Sequence, residues 1–197
     1  NPSLANVSGQ IVATPAGVGV TADSTGTVTV SSGQLAELRI QTADVANGHV
    51  LTDTSLTTDE TITLYSVGYD GDGNYLGLNS TPANWTLQGI SGSLSPANPV
   101  SSVEFTPDLL SSGSIRAEAN SNPGIYDISG SISVTAGTID YVIIRSEANG
   151  GGQPVNEVNL SSGQTLNLDA AGYDINNNFA GNAPVNWNAT GSLTGLG

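Results

Sequence analysis

"GQIVATPAGVGVTADSTGTVTVSSG", residues 9–33, returns without a gap as "GSIRAEANSNPGIYDISGSISVTAG", residues 113–137. The step from residue 9 to residue 113 is 104 positions, and it holds further along the chain. Leu38 and Ile40 meet Val142 and Ile144, and "SLTTDETITL" (55–64) meets "NLSSGQTLNL" (159–168). Gly68-Tyr69-Asp70 meets Gly172-Tyr173-Asp174, and after a two-residue difference in the next loop Trp85 falls opposite Trp187. A unit of this length is too long for a solenoid repeat and suits an independently folding domain. The chain therefore divides into the C-terminal strands of a preceding repeat (1–33), a complete repeat (34–137) and the N-terminal strands of a following one (138–197).

Within the unit the apolar residues alternate. Leu38 and Ile40 are separated by Arg39, and Ile62 and Leu64 by Thr63; Ala83, Trp85 and Leu87 form a third set. Val103 with Phe105, Ile115 with Ala117, and Ile132 with Val134 follow the same rule. A period of two places each set on one face of a strand, and no stretch carries a helical period. About seven short strands per unit, punctuated by Gly, Pro, Asn and Asp, predict an all-β fold of tandem Ig-like antiparallel sandwiches. In that reading Trp85 and Trp187 are equivalent core anchors. The linkers are "SSGQLAE" (31–37) and "TAGTIDY" (135–141), too short to hinge freely.

The succession of a strand ending in "GYD", a "DGDGN" turn, a strand with "NW", then "GSL" and a closing "GSISVTAG" resembles bacterial Ig-like repeats. These are the tandem domains of invasin- and intimin-like surface adhesins. The resemblance implies an extracellular stalk or adhesive module without catalysis. Some members of that broader class carry calcium at domain junctions and others carry none.

Composition narrows the function. The 197 residues hold 17 acidic side chains against three basic ones, a formal net charge of −14. Such a surface repels nucleic acid and anionic lipid. The longest apolar run, Tyr141-Val142-Ile143-Ile144, is far short of a membrane span. Cysteine is absent, which excludes disulfides, thiolate metal sites and a cysteine nucleophile. Lysine is absent too, so no Lys–Asn isopeptide staple can form. The one histidine, His49, lies in a polar loop and has no counterpart in the next repeat, so serine hydrolysis lacks a base. The acids that recur, Asp70/Asp174 and Asp23/Asp127, read as solvated groups at turns and edges of a repeated scaffold. An enzyme is not expected.

Two stretches remain as candidate sites. Asp70, Asp72 and Asn74, repeated as Asp174, Asn176 and Asn178, match the first half of a calcium loop. The second half is missing, because Thr81 and Val185 stand where the closing glutamate belongs. Asp, Asn and Gly also suit a hairpin turn, since they tolerate positive φ and hydrogen-bond their own backbone. The turn outweighs the ion, so no cofactor is expected, with calcium as the alternative. Tyr69, Tyr75, Tyr173 and Phe179 form the one recurring aromatic cluster that a glycan or cell-surface ligand could use. Sequons occur at Asn6, Asn79, Asn84, Asn159 and Asn188. The partners expected are neighbouring repeats of the same or an identical chain, in an array or in a head-to-tail polymer.

Overall fold

In the computed structural model residues 4–193 are described; the outermost parts of the first and last segments, 1–3 and 194–197, lie outside the described residues. Every regular element among the described residues is a β-strand, and the strands form several mostly antiparallel sheets. The fold is all-β, as the alternation predicts.

The first segment contains β1 (Val7–Gly9), β2 (Val12–Ala13), β3 (Asp23–Ser24) and β4 (Val28–Val30). The middle segment contains β5 (Leu35–Gln41), β6 (Thr54–Thr57), β7 (Ile62–Asp70), β8 (Ala83–Gln88) and β9 (Gly92–Ser95). It continues with β10 (Ser102–Pro107), β11 (Ser111–Ala119), β12 (Tyr126–Ile128) and β13 (Ile132–Thr135). The last segment contains β14 (Tyr141–Arg145), β15 (Asp169–Tyr173) and β16 (Phe179–Asn182).

The middle segment builds two sheets. One runs β5-β7-β10-β9, and the other runs β12-β11-β13-β6 with β8 also paired to β11. The alternating apolar sets point into the space between them. Leu38, Ile40, Leu64, Val103 and Phe105 meet Trp85, Ile115, Ala117, Ile132 and Val134 in one buried cluster. Each large side chain removed from water here contributes roughly 1.5–3 kcal/mol. The Trp85 indole N–H donates to the Val100 carbonyl oxygen at 2.9 Å, so its one polar atom is satisfied inside the cluster. One pairing departs from the expected antiparallel pattern: β6 and β13 run parallel, Thr54 opposite Ile132.

The three arginines are tied down locally. Arg39 on β5 pairs with Glu37 at 2.7 Å, and Arg116 on β11 pairs with Glu118. Arg145 on β14 donates to the carbonyl oxygens of Gly151 and Gly152 at 2.9 and 2.7 Å.

The end segments keep the register of the middle one. Val7 pairs with Val30 as Ser111 pairs with Val134, and Val12 pairs with Ser24 as Arg116 pairs with Ile128. Val142 pairs with Gly172 as Leu38 pairs with Gly68. They differ where a partner is missing. Residues 159–168 and 185–188, expected as strands, carry no regular pairing, and Trp187 is 41% exposed where Trp85 is 2% exposed. The reason is in the topology. In the middle segment β6 pairs with β13, β8 pairs with β11, and the start of β7 pairs with β10. Residues 138–193 contain no counterpart of those three partners, and an extended segment without a partner leaves its N–H and C=O groups to water.

Candidate functional site

The strand β7 ends at Asp70, and the chain turns back on itself through residues 71–74. Asp70 holds that turn closed. Its Oδ1 accepts from the backbone N–H groups of Asp72 at 3.0 Å and Asn74 at 2.8 Å. The main chain closes the loop a second time, with the Asp70 N–H donating to the Asn74 carbonyl oxygen at 3.0 Å. The same bonds recur at Asp174, whose Oδ1 accepts from Asn176 at 3.0 Å and Asn178 at 2.8 Å. Gly73 and Asn177 occupy the same loop position and both have positive φ, 80° and 67°. Glycine and asparagine are the residues that enter that region most readily.

The second carboxylate oxygen leaves the loop. Asp70 Oδ2 accepts from the Gly33 N–H at 2.7 Å, in the linker that enters the middle segment. Asp174 Oδ2 accepts from the Thr58 hydroxyl at 2.6 Å and from the Gly137 N–H at 3.2 Å, in the next linker. The asparagines reach across as well. Asn74 Oδ1 accepts from the Ala5 N–H at 3.0 Å, and Asn178 Nδ2 donates to the Asp108 carbonyl oxygen at 3.0 Å. Each carboxylate thus closes its own turn through Oδ1 and reaches the preceding repeat through Oδ2, which also accepts from the asparagine side chain of its own turn at 3.1 Å. Asp59 completes the second joint by accepting from the Thr138 N–H at 2.7 Å and hydroxyl at 2.8 Å. A side chain at Gly137 would press on Asp59, its Cβ falling 2.1 Å from Oδ1.

These bonds set the acidity of both groups. The Gly33 and Asn74 backbone N–H groups lead in holding the Asp70 carboxyl down, at about 2. Burial pushes Asp174 up, but the Thr58 hydroxyl, Asn178 and the Gly137 N–H together outweigh it and bring it to about 2. A carboxyl that ionises more easily folded than unfolded contributes stability that is complete above its ordinary value of 3.8. That stability is lost as pH falls from there toward about 2. Thermal unfolding of the wild type should therefore weaken across that window more steeply than that of the Asp70→Asn/Asp174→Asn chain. Parallel profiles would refute the assignment.

The six oxygen-bearing side chains singled out as calcium candidates divide into clamp and periphery. Asp70, Asn74, Asp174 and Asn178 face N–H and hydroxyl donors or bridge to the preceding repeat. Asp72 is exposed, and Asn176 donates to the Thr58 carbonyl oxygen at 3.4 Å. Among the described residues no three His, Cys, Asp or Glu side chains stand together at metal-binding distance. Sequence reasoning missed the other halves of the joints: Gly33, Gly137, Thr58 and Asp59. The one available signal was that Gly33 and Gly137 close the two copies of the repeated stretch.

Of the aromatic cluster only Tyr69 is buried, while Tyr75, Tyr173 and Phe179 are half-buried. Tyr69 is buried, with its hydroxyl 2.8 Å from the Gln41 amide and donating to Ala46 O at 2.8 Å. Tyr75 donates to Asp44 at 2.7 Å, and burial together with that bond raises its hydroxyl to about 12. Tyr173 stacks on Tyr141 at 5.6 Å and meets the edge of Phe179 at 5.9 Å. His49 is exposed. Asp127 is tied into the core sheet, its Oδ2 accepting from the Ile40 N–H at 2.7 Å. No helix among the described residues is long and apolar enough to cross a membrane. No family model, curated protein or solved structure matches the chain.

Proposed function

We propose that the chain is a non-enzymatic structural segment of an extracellular stalk or filament, in which each Ig-like sandwich is a rigid link. One observation carries this reading: two successive joints use the same aspartate, the same linker glycine and the same asparagine, 104 positions apart. The aspartate–glycine contact repeats atom for atom at each joint and favours a fixed angle between links, which is what a stalk requires and what an isolated binding domain does not need. The acidic, cysteine-free and lysine-free composition and the resemblance to bacterial Ig-like repeats support an extracellular setting. Antibodies raised against residues 34–137 test it on intact, unpermeabilised cells that make the protein. Label in linear arrays at the cell surface is the expected result, and label confined to the cell interior sinks the reading.

A further inference from the structure

The two end segments expose the surfaces that the middle segment buries. Ile11 is 67% exposed while its counterpart Ile115 is fully buried, and Val28 is 41% exposed against a fully buried Ile132. At the other end Ile144 is 42% exposed against a fully buried Ile40. Val142, Ile144, Ala170, Val185 and Trp187 line an open groove of about 400 Å³. In the middle segment the equivalent space is filled by β11 and β13, which are the strands whose counterparts are β1, β2 and β4.

We propose that residues 7–30 of one copy of this chain dock into that groove on a second copy, so that copies join head to tail. The inference rests on the structural reading above and names the partner that extends it.

Register, polarity and unpaired backbone all favour this occupant. The donor is already formed, because its two strand pairs have the register of the pairs they would imitate. Transferring the middle segment's pairings puts Val28 opposite Val158 and Ala13 opposite Trp187, as Ile132 lies opposite Thr54 and Ala117 opposite Trp85. Residues 158–160 and 185–189, which lack strand partners within their own copy, gain them. One polar contact fixes the fit. Asp127 uses Oδ1 for the Ile128 N–H and Oδ2 for the Ile40 N–H. Asp23 uses Oδ1 for the Ser24 N–H in the same way, leaving Oδ2 for the Ile144 N–H of the acceptor. A rival apolar partner would satisfy the groove and leave that N–H unmet. Residues 4–33 hold no counterpart of β10, so the joint pairs on one sheet only. Strand addition that runs head to tail does not close, and it generates an open filament.

The test uses the full chain with Thr29→Cys and Asn159→Cys, the outward-facing pair equivalent to Ser133 opposite Ser55. The native chain has no cysteine to interfere. Mild oxidation of the double variant should give a ladder at multiples of 19.8 kDa, whereas each single variant stops at dimer. The wild-type average mass should rise with concentration in sedimentation. Asp23→Ala should move that rise to roughly tenfold higher concentration, from the loss of one charged hydrogen bond. A wild type that stays at 19.8 kDa, with no ladder, overturns the proposal and leaves the clamp between covalently linked repeats standing. A groove filled by later residues of one longer covalent chain also overturns it.

Discussion

Trp85→Ala is expected to destabilise the middle segment by about 3–5 kcal/mol, the range for deleting a large aromatic side chain from a core. Trp85 is 2% exposed, it stands opposite Ala117 across the β8–β11 pair, and its indole N–H satisfies the Val100 carbonyl oxygen. Truncation empties a space that the small residues Ala83, Ala117 and Ala119 cannot fill, and it leaves the Val100 carbonyl oxygen with the Ala83 N–H, at 3.0 Å, in place of two donors. Trp187→Ala should cost about 1 kcal/mol or less in the dilute chain, because that ring is 41% exposed and its strand is unpaired. Denaturant titration of both variants decides it. Equal losses from two residues that sequence makes equivalent would mean that their surroundings are equivalent too, against the structure described above.

Asp174→Ala should loosen the joint between the middle and last segments. Its carboxylate is fully buried and accepts from Thr58, Gly137, Asn176 and Asn178. Removing it strands the Thr58 hydroxyl and the Asn176 and Asn178 N–H groups, each costing roughly 1–3 kcal/mol when water cannot reach it. It also leaves the Gly137 N–H only the Thr58 hydroxyl oxygen at 2.8 Å, which has itself lost its anchor. Water entering the opened joint would recover part of that cost by letting the linker detach. Hydrogen exchange reads the result directly. The Gly137 amide should be protected in the wild type and exchange at least tenfold faster in the variant, while the Ile40 amide of the middle core stays unchanged. A Gly137 amide indifferent to the substitution would mean that Asp174 does not hold the linker.

The strands of the middle segment were legible because burial there follows the pleat. Leu38, Ile40, Leu64, Val103, Phe105, Ile115 and Ile132 all stand at alternating positions, and all are buried. The failures lie where sequence and partner separate. Leu166 and Leu168 alternate as well as Ile62 and Leu64 do, yet no regular strand forms there among the described residues until Asp169. Alternation describes a side chain's preference for one face; strand pairing also requires a second chain segment alongside. The loops at Asp70 and Asp174 were legible as turns from their Asp, Asn and Gly content. Their reach into the linkers was not, because Gly33 and Gly137 contribute a backbone N–H, and an N–H leaves no mark in the choice of side chain.

The placement of the cations has a consequence for survival among proteases. A trypsin-like enzyme recognises lysine or arginine and must draw several residues around it into an extended cleft. This chain has only Arg39, Arg116 and Arg145, all with their guanidinium groups engaged; Arg39 and Arg116 lie inside paired strands, and Arg145 ends β14. Only the Arg145–Ser146 bond borders an exposed loop, so cutting after Arg39 or Arg116 must wait for a strand to leave its sheet. The rate of cutting after Arg116 then measures how often the middle sandwich opens. Toward trypsin-like enzymes the middle segment would stay intact for as long as its sheets stay closed.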